Sequence, residues 1–348
     1  MTPARARATT PTLDPFSPPR LVGDKSSVIG ASLVAGVVVI FLLGRLTGLT
    51  SVAPVQTFAI IFTAIVVEAL PFVLLGAFAS ALVEVYVSDH VLGRITGLPS
   101  GLQLPAAALG GFFFPVCECG SVPVARRLIR RGMLPGAGVA FMLASPVFNP
   151  IVLLGTWVAY SPRGLGWQMV IGRTVLGLVT ALAAGWALGA AGAKELLRAQ
   201  NEPVPEGAAP VHRSHGRLWG FIEHLTGDFF FMGKFLIAGA ALSAATQTLL
   251  PQSIVSGVAR TVVFGTLALM AVAFVSSLCS EADAFVAVSF TQFPLGSQLA
   301  FLTLGPVLDL KLAFLYSAVF RRRFVTSLAI VVVPTVLAGA LVAEAILR

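Results

Sequence analysis

The sequence predicts an all-α polytopic membrane protein made of two inverted-topology repeats with broken, re-entrant helices. Three observations predict it. Of 348 residues, 57% are hydrophobic and 11% charged, with a mean hydropathy of +0.92, too little polar surface to coat a soluble globule. Long apolar runs recur along the chain, several of them near the ~20 residues that cross a ~30 Å hydrocarbon core. Between these runs lie two apolar regions, 105–160 and 259–320, that are interrupted by proline, cysteine and acid. Broken backbone at membrane depth is tolerated only where protein buries it or where it lines a cavity.

The elements follow in order. Residues 1–27 are rich in Pro, Thr and Arg without apolar periodicity and read as a disordered cytoplasmic arm. Residues 28–50 read as a peripheral transmembrane helix; the run starts late, is long and lacks a small-residue cleavage site, which argues against a signal peptide. A first repeat is expected over 55–192, a linker loop over 193–227 and a second repeat over 228–346. Uninterrupted spans fall at 57–87, 167–192, 228–249 and 324–346. In the first broken region, Pro115, Pro123, "RRLIRR", Pro135 and "SPVFNP" interrupt the apolar pattern, and in the second "SSLCSEAD", Pro294 and "LGPVLD" do so. Segments 105–118 and 120–131 are each only ~20 Å of helix, which suits a re-entrant hairpin over 105–131 better than two crossings. Its expected counterpart is 259–292.

The two broken regions match one another. Laying Cys119 on Cys279 also superposes Gly136 on Gly296, Ala140-Phe141 on Ala300-Phe301, Pro146-Val147 on Pro306-Val307, and Asn149 on the nearly isosteric Asp309. With a slightly different offset, "FVLLGAFASA" at 72–81 pairs with "FLIAGAALSA" at 235–244. Charge then orients the halves. A cytoplasmic N-terminus puts Arg126, Arg127, Arg130 and Arg131, the basic loop 193–227, and Arg321 to Arg323 on one side, while the counterpart of "RRLIRR" is the uncharged "VAVSFT". That asymmetry is what inverted repeats produce.

The net charge of +8 comes from short clusters at the ends of apolar runs, so no nucleic acid is expected as a partner. Three cysteines form no disulfide framework. No phosphate loop is present, so an ATPase is not expected within the chain; neither an enzyme nor a cofactor is expected. His212, His215 and His224, with Glu223 and Asp228, match no closed tetrahedral spacing and are read as solvated loop residues, so no metal is expected. Lys234 and Arg260 are read as snorkelling near helix ends.

The stretch "PVCECGSVPVARRLIRRGMLPGAGVAFMLASPVFNPIVLL", with "SLCSEADAFVAVSF" and "LAFLTLGPVLDLK" further on, resembles the bacterial predicted-permease family that includes the methylarsenite efflux permeases. The likeness covers essentially residues 55–346. It implies a multi-pass inner-membrane permease whose partners are a small-molecule substrate and the lipid bilayer. Export of trivalent organoarsenicals belongs to some family members only, so the likeness does not carry substrate identity.

The residues themselves suggest chemistry. Cys117, Cys119 and Cys279 are soft donors suited to a thiophilic ligand, and each sits at a break. The bland alternative is that they are small apolar core residues. Asn149 and Asp309, beside Pro146 and Pro306, offer oxygen ligands at the bends. Glu118, Glu281 and Asp283 are candidates for proton coupling, because carboxylates are costly in a membrane; Ser280 and Glu281 would alternatively cap a helix. Glu68 is a proton relay or the partner of a buried polar group, and Lys311 pairs with Asp309 or serves substrate. Two functions remain open: a permease working by alternating access, and a transmembrane thiol oxidoreductase using Cys119 and Cys279. A homo-oligomer is compatible with either.

Overall fold

The computed structural model describes residues 53–86, 99–111, 117–189, 217–249 and 262–347. The expected arm 1–27 and helix 28–50 lie outside these residues, as do Pro115, His212, His215 and Arg260. The described chain is helical: α1 (Ala53–Tyr86), α2 (Ser100–Gly110), α3 (Glu118–Arg130), α4 (Pro135–Phe148), α5 (Pro150–Tyr160) and α6 (Gly166–Gly189), then α7 (Arg217–Leu249), α8 (Val262–Ser276), α9 (Asp283–Ala287), α10 (Leu295–Leu304), α11 (Leu310–Val319) and α12 (Arg322–Leu347).

Among the described residues, four helices are long and apolar enough to cross a membrane: Pro54–Leu82 of α1, all of α6, Leu218–Thr248 of α7 and Arg323–Ile346 of α12. Their outward faces carry large apolar side chains such as Ile60, Val67, Ile171, Phe230 and Ile330, as lipid-facing helices do. A fifth span is broken. Helices α4 and α5 meet at 41°, because Pro150 has no N–H to continue α4 and forces Asn149 out of the helical region, to φ −57° and ψ 121°. Helices α2 and α3, 11 and 13 residues long, reach only ~16 and ~20 Å at 1.5 Å per residue.

The two sets of six helices pack by a shared scheme. In the first half α2 lies on α4 and α4 on α6; in the second, α8 lies on α10 and α10 on α12. The halves join through α1 against α7 and α6 against α12. The aligned glycines make matching contacts: Gly136 sits against Gly185 and Gly189 of α6, and Gly296 against Ala340 and Glu344 of α12, where its N–H also donates to Glu344 Oε2 at 2.9 Å. Small residues at such crossings let helix backbones approach closely.

The segment expected as the second hairpin departs from its expected counterpart. Where α3 runs 13 residues along α1, its counterpart α9 has five and packs chiefly on α5 and α10. The segment "AVSFTQFP" is rich in aromatic, β-branched and polar residues and leads into Pro294, so the chain turns where α3 continues as a helix. Helix α7 begins at Arg217, within the expected loop 193–227, and His224 is accordingly buried on a helix instead of solvated. Lys234 likewise lies within α7, its Nζ over the rings of Phe231 and Phe235.

Gly76 of α1 faces the backbone of Gly120 in α3, where an added Cβ would collide with main chain. Gly76→Val is expected to destabilise the purified protein by ~1–3 kcal/mol or more, read as a lowered melting temperature in detergent. Gly101, with nothing within 4 Å of its Cβ position, is the control, and Gly101→Ala should leave the transition unchanged.

Candidate functional site

Helices α3 and α11 begin at the same point in the interior. Cys117 precedes α3 in extended conformation, and Glu118 occupies its first turn. Asp309 precedes α11, accepting from the Leu312 N–H at 2.5 Å, and Lys311 occupies that first turn. A cation at a helix N-terminus opposes the dipole, so Lys311 needs acidic company. It has it: Lys311 Nζ donates to Glu118 Oε1 at 3.2 Å and lies 3.9 Å from Asp309 Oδ2, an ion-pair distance too long for a hydrogen bond. All three side chains are buried, as is Cys279, whose Sγ accepts from the same ammonium at 3.8 Å.

The thiols gather on this pair. Cys117 and Cys119 lie within electrostatic range of each other, and Cys279 has Cys119, Glu118 and Lys311 as electrostatic neighbours. All three are free and buried. The break that brings Cys279 inward is strained at Ser277, a non-glycine residue at φ 49°, a conformation costing ~1–3 kcal/mol. The Ser277 hydroxyl accepts from the Lys311 N–H at 3.3 Å. Tyr316 donates to the Val307 carbonyl at 3.0 Å and so fixes the turn that carries Pro306.

A second ion pair adjoins the first. Arg173 of α6, wholly buried, donates to both oxygens of Asp283 at 2.8 and 2.7 Å, and also to Thr156 Oγ1 of α5 at 2.9 Å. Ser280 links the two pairs. Its hydroxyl donates to Glu118 Oε2 at 3.0 Å and its carbonyl accepts from Arg173 at 3.3 Å. Glu281 lies between them with both side-chain oxygens buried and no hydrogen-bond donor among the described residues.

The structure thus brings together Cys117, Cys119, Cys279, Glu118, Asp309, Glu281 and Asp283. Glu68 is half-buried on α1 within electrostatic range of Lys311 and Glu118. Asn149 caps α5 by accepting from the Ile151 N–H at 3.0 Å, the same duty that Asp309 performs for α11, and no described side-chain interaction joins it to the thiols. Pro146 lies within α4 one turn before that bend, and Pro306 in the turn before α11. Two members were missed in the sequence, Arg173 and Tyr316. Arg173 had a signal, since it is a charge in the middle of an apolar span.

Membrane-length helices that enclose paired charge and free thiols at helix breaks define a multi-pass membrane protein with a polar interior site. The chain is a member of the predicted-permease family, whose profile, described as "Predicted permease", matches residues 55–345. It is similar to the UPF0718 protein YcgR of Bacillus subtilis (strain 168), 39% identical over 285 residues, which cover 82% of this chain and 96% of that protein. It is also similar to a Streptococcus mutans protein named "Putative two-component membrane permease complex subunit", 30% identical over 266 residues, covering 76% of this chain and 87% of that one. No solved structure matches significantly.

Removing one member of a buried pair leaves the other charge uncompensated at a cost of ~3–5 kcal/mol. Arg173→Met or Asp283→Leu alone should therefore lower stability sharply, whereas the double variant Arg173→Met with Asp283→Leu should cost less than the sum of the two. Thermal unfolding in detergent reads both, and additive losses would show that the two side chains do not act as a pair.

Proposed function

We propose that the protein moves a small thiophilic solute across the inner membrane by alternating access, coupled to protons, with a trivalent organoarsenical leaving the cell as the candidate cargo. The observation that carries the reading is the convergence of three thiols on one buried ion pair at the start of α3 and α11. Trivalent arsenicals and soft metals prefer thiolate ligands over oxygen. Cys117, Cys119 and Cys279 supply such ligands at positions where helix breaks free the backbone. In this reading the two halves are inverted repeats, the arginines of α3 face the cytoplasm, and the halves rock against one another about the site.

Proton coupling falls to the carboxyl groups, which are not held alike. Asp283 is fixed by both its oxygens on Arg173, and Glu118 by Lys311 and Ser280. Glu281, with no donor on either oxygen, is the freest to exchange a proton. Glu118 changes partners when substrate draws the thiols away from Lys311, and Glu68 stands near enough to respond. Asn149 and Asp309, with Pro146 and Pro306, hold the bends that flank the site.

Flux in everted vesicles, with a panel of trivalent organoarsenical, arsenite, soft metal ions and small sulfur compounds, tests this reading. Cys119→Ser and Cys279→Ser should each lower transport of the thiophilic cargo by about tenfold or more, the effect of one lost soft contact. Glu281→Gln should leave cargo binding intact and flatten the pH dependence of flux. Unchanged transport in all three variants would refute the site. A wild-type form carrying a Cys119–Cys279 disulfide that cycles during turnover would favour the oxidoreductase instead.

A further inference from the structure

A cavity of about 140 Å³ opens between α3, α7 and α11. Its lining includes Val122 and Leu315, each four residues along its own helix from one member of the buried ion pair, Glu118 on α3 and Lys311 on α11. Four residues are about one helical turn, a rise of ~6 Å. Both apolar side chains are buried, so the cavity ends one turn of helix short of the pair and of the thiols gathered on it.

Farther along α3, ~14 Å from Glu118 at 1.5 Å per residue, Arg127 and Asp228 line the same cavity. Asp228 Oδ2 accepts from Arg127 at 2.7 Å and from the Ser80 hydroxyl at 2.8 Å. One carboxylate of α7 thereby ties the second half of the chain to α3 and α1 of the first. The Arg173–Asp283 pair instead adjoins Glu118 at the start of α3, through Ser280. The two pairs differ in their access to water: the side chains of Arg127 and Asp228 are 11% and 21% exposed, those of Arg173 and Asp283 0% and 3%. Water can take over the hydrogen bonds of the first pair as it parts, whereas parting the second would strand charge in the interior.

We infer that the Asp228 contact is the gate of the thiol site. Its parting lets α7 draw away from α3 and α1, joins the cavity to the Glu118–Lys311 pair and admits solute from the face where α3 ends, while Arg173–Asp283 stays shut at the start of that helix. The inference rests on the permease reading and adds to it the route by which cargo arrives.

An impermeant sulfonatoethyl methanethiosulfonate tests the gate. The rates at which it labels Cys117, Cys119 and Cys279 are read by mass spectrometry on the full chain, in right-side-out and in everted vesicles. Wild-type thiols should label slowly. Asp228→Asn should accelerate labelling about tenfold or more, the loss of a charge-assisted hydrogen bond, and only from the face at which Arg130→Cys, at an exposed position, also labels. Ser80→Ala removes one hydrogen bond and leaves the ion pair; it should accelerate labelling about threefold from the same face, and it carries the test alone should Asp228→Asn fail to fold. Equal acceleration from both faces would show a loosened fold, and unchanged labelling would show a static strut; either result overturns the proposal. Accelerated one-sided labelling without thiol-dependent flux would retain the gate and remove the thiophilic cargo; thiol-dependent flux with labelling indifferent to Asp228 and Ser80 would do the reverse.

Discussion

Charge removed from water has to be paired, and in this chain the pairing happens where helices break. Lys311 and Glu118 face each other because α3 and α11 both start at the centre of the molecule, and each helix starts there because its preceding segment cannot be helical. The same break carries Cys279 to Lys311 through the strained Ser277. Without the ion pair, two buried charges would stand unpaired, a state costing several kcal/mol per ion. The thiols, the caps and the Ser280 bridge are arranged around it.

The ion pairs also describe how the halves are held. Glu118–Lys311, Arg173–Asp283 and Arg127–Asp228 each join a residue of the first six helices to one of the second six. The long apolar contacts, α1 on α7 and α6 on α12, cross the same divide. Apolar helix faces can slide at little electrostatic cost, but a buried salt bridge cannot open unless another partner replaces it. The proposed function assigns that replacement to a cargo at the thiols or to a proton on a carboxylate; the family match itself shows a permease.

Much of this was legible in the sequence, for identifiable reasons. The spans were readable because lipid-facing helices are apolar nearly throughout, and the break at Asn149 because proline leaves few alternatives. The matched positions of Cys119 and Cys279 singled out both thiols as candidates, and they lie near one another inside the protein. What sequence spacing did not supply was pairing across the halves: that Lys311 reaches Glu118, and that Asp283 reaches an arginine 110 positions away. Arg173 was hard to assign because it sits in an unbroken apolar helix, away from the breaks that mark the site. The shortness of α9 was hidden by apolar composition that suits a helix and a buried turn equally well.

The central claim is that thiols from both halves share one ligand at the Lys311–Glu118 pair. A trivalent phenylarsenical bonds two thiols at once, so mass spectrometry of the labelled, proteolysed protein can read which cysteines it joins. The account predicts a peptide carrying Cys279 bridged through arsenic to one carrying Cys117 or Cys119. Arsenic found only between Cys117 and Cys119, with Cys279 unmodified, would contradict it.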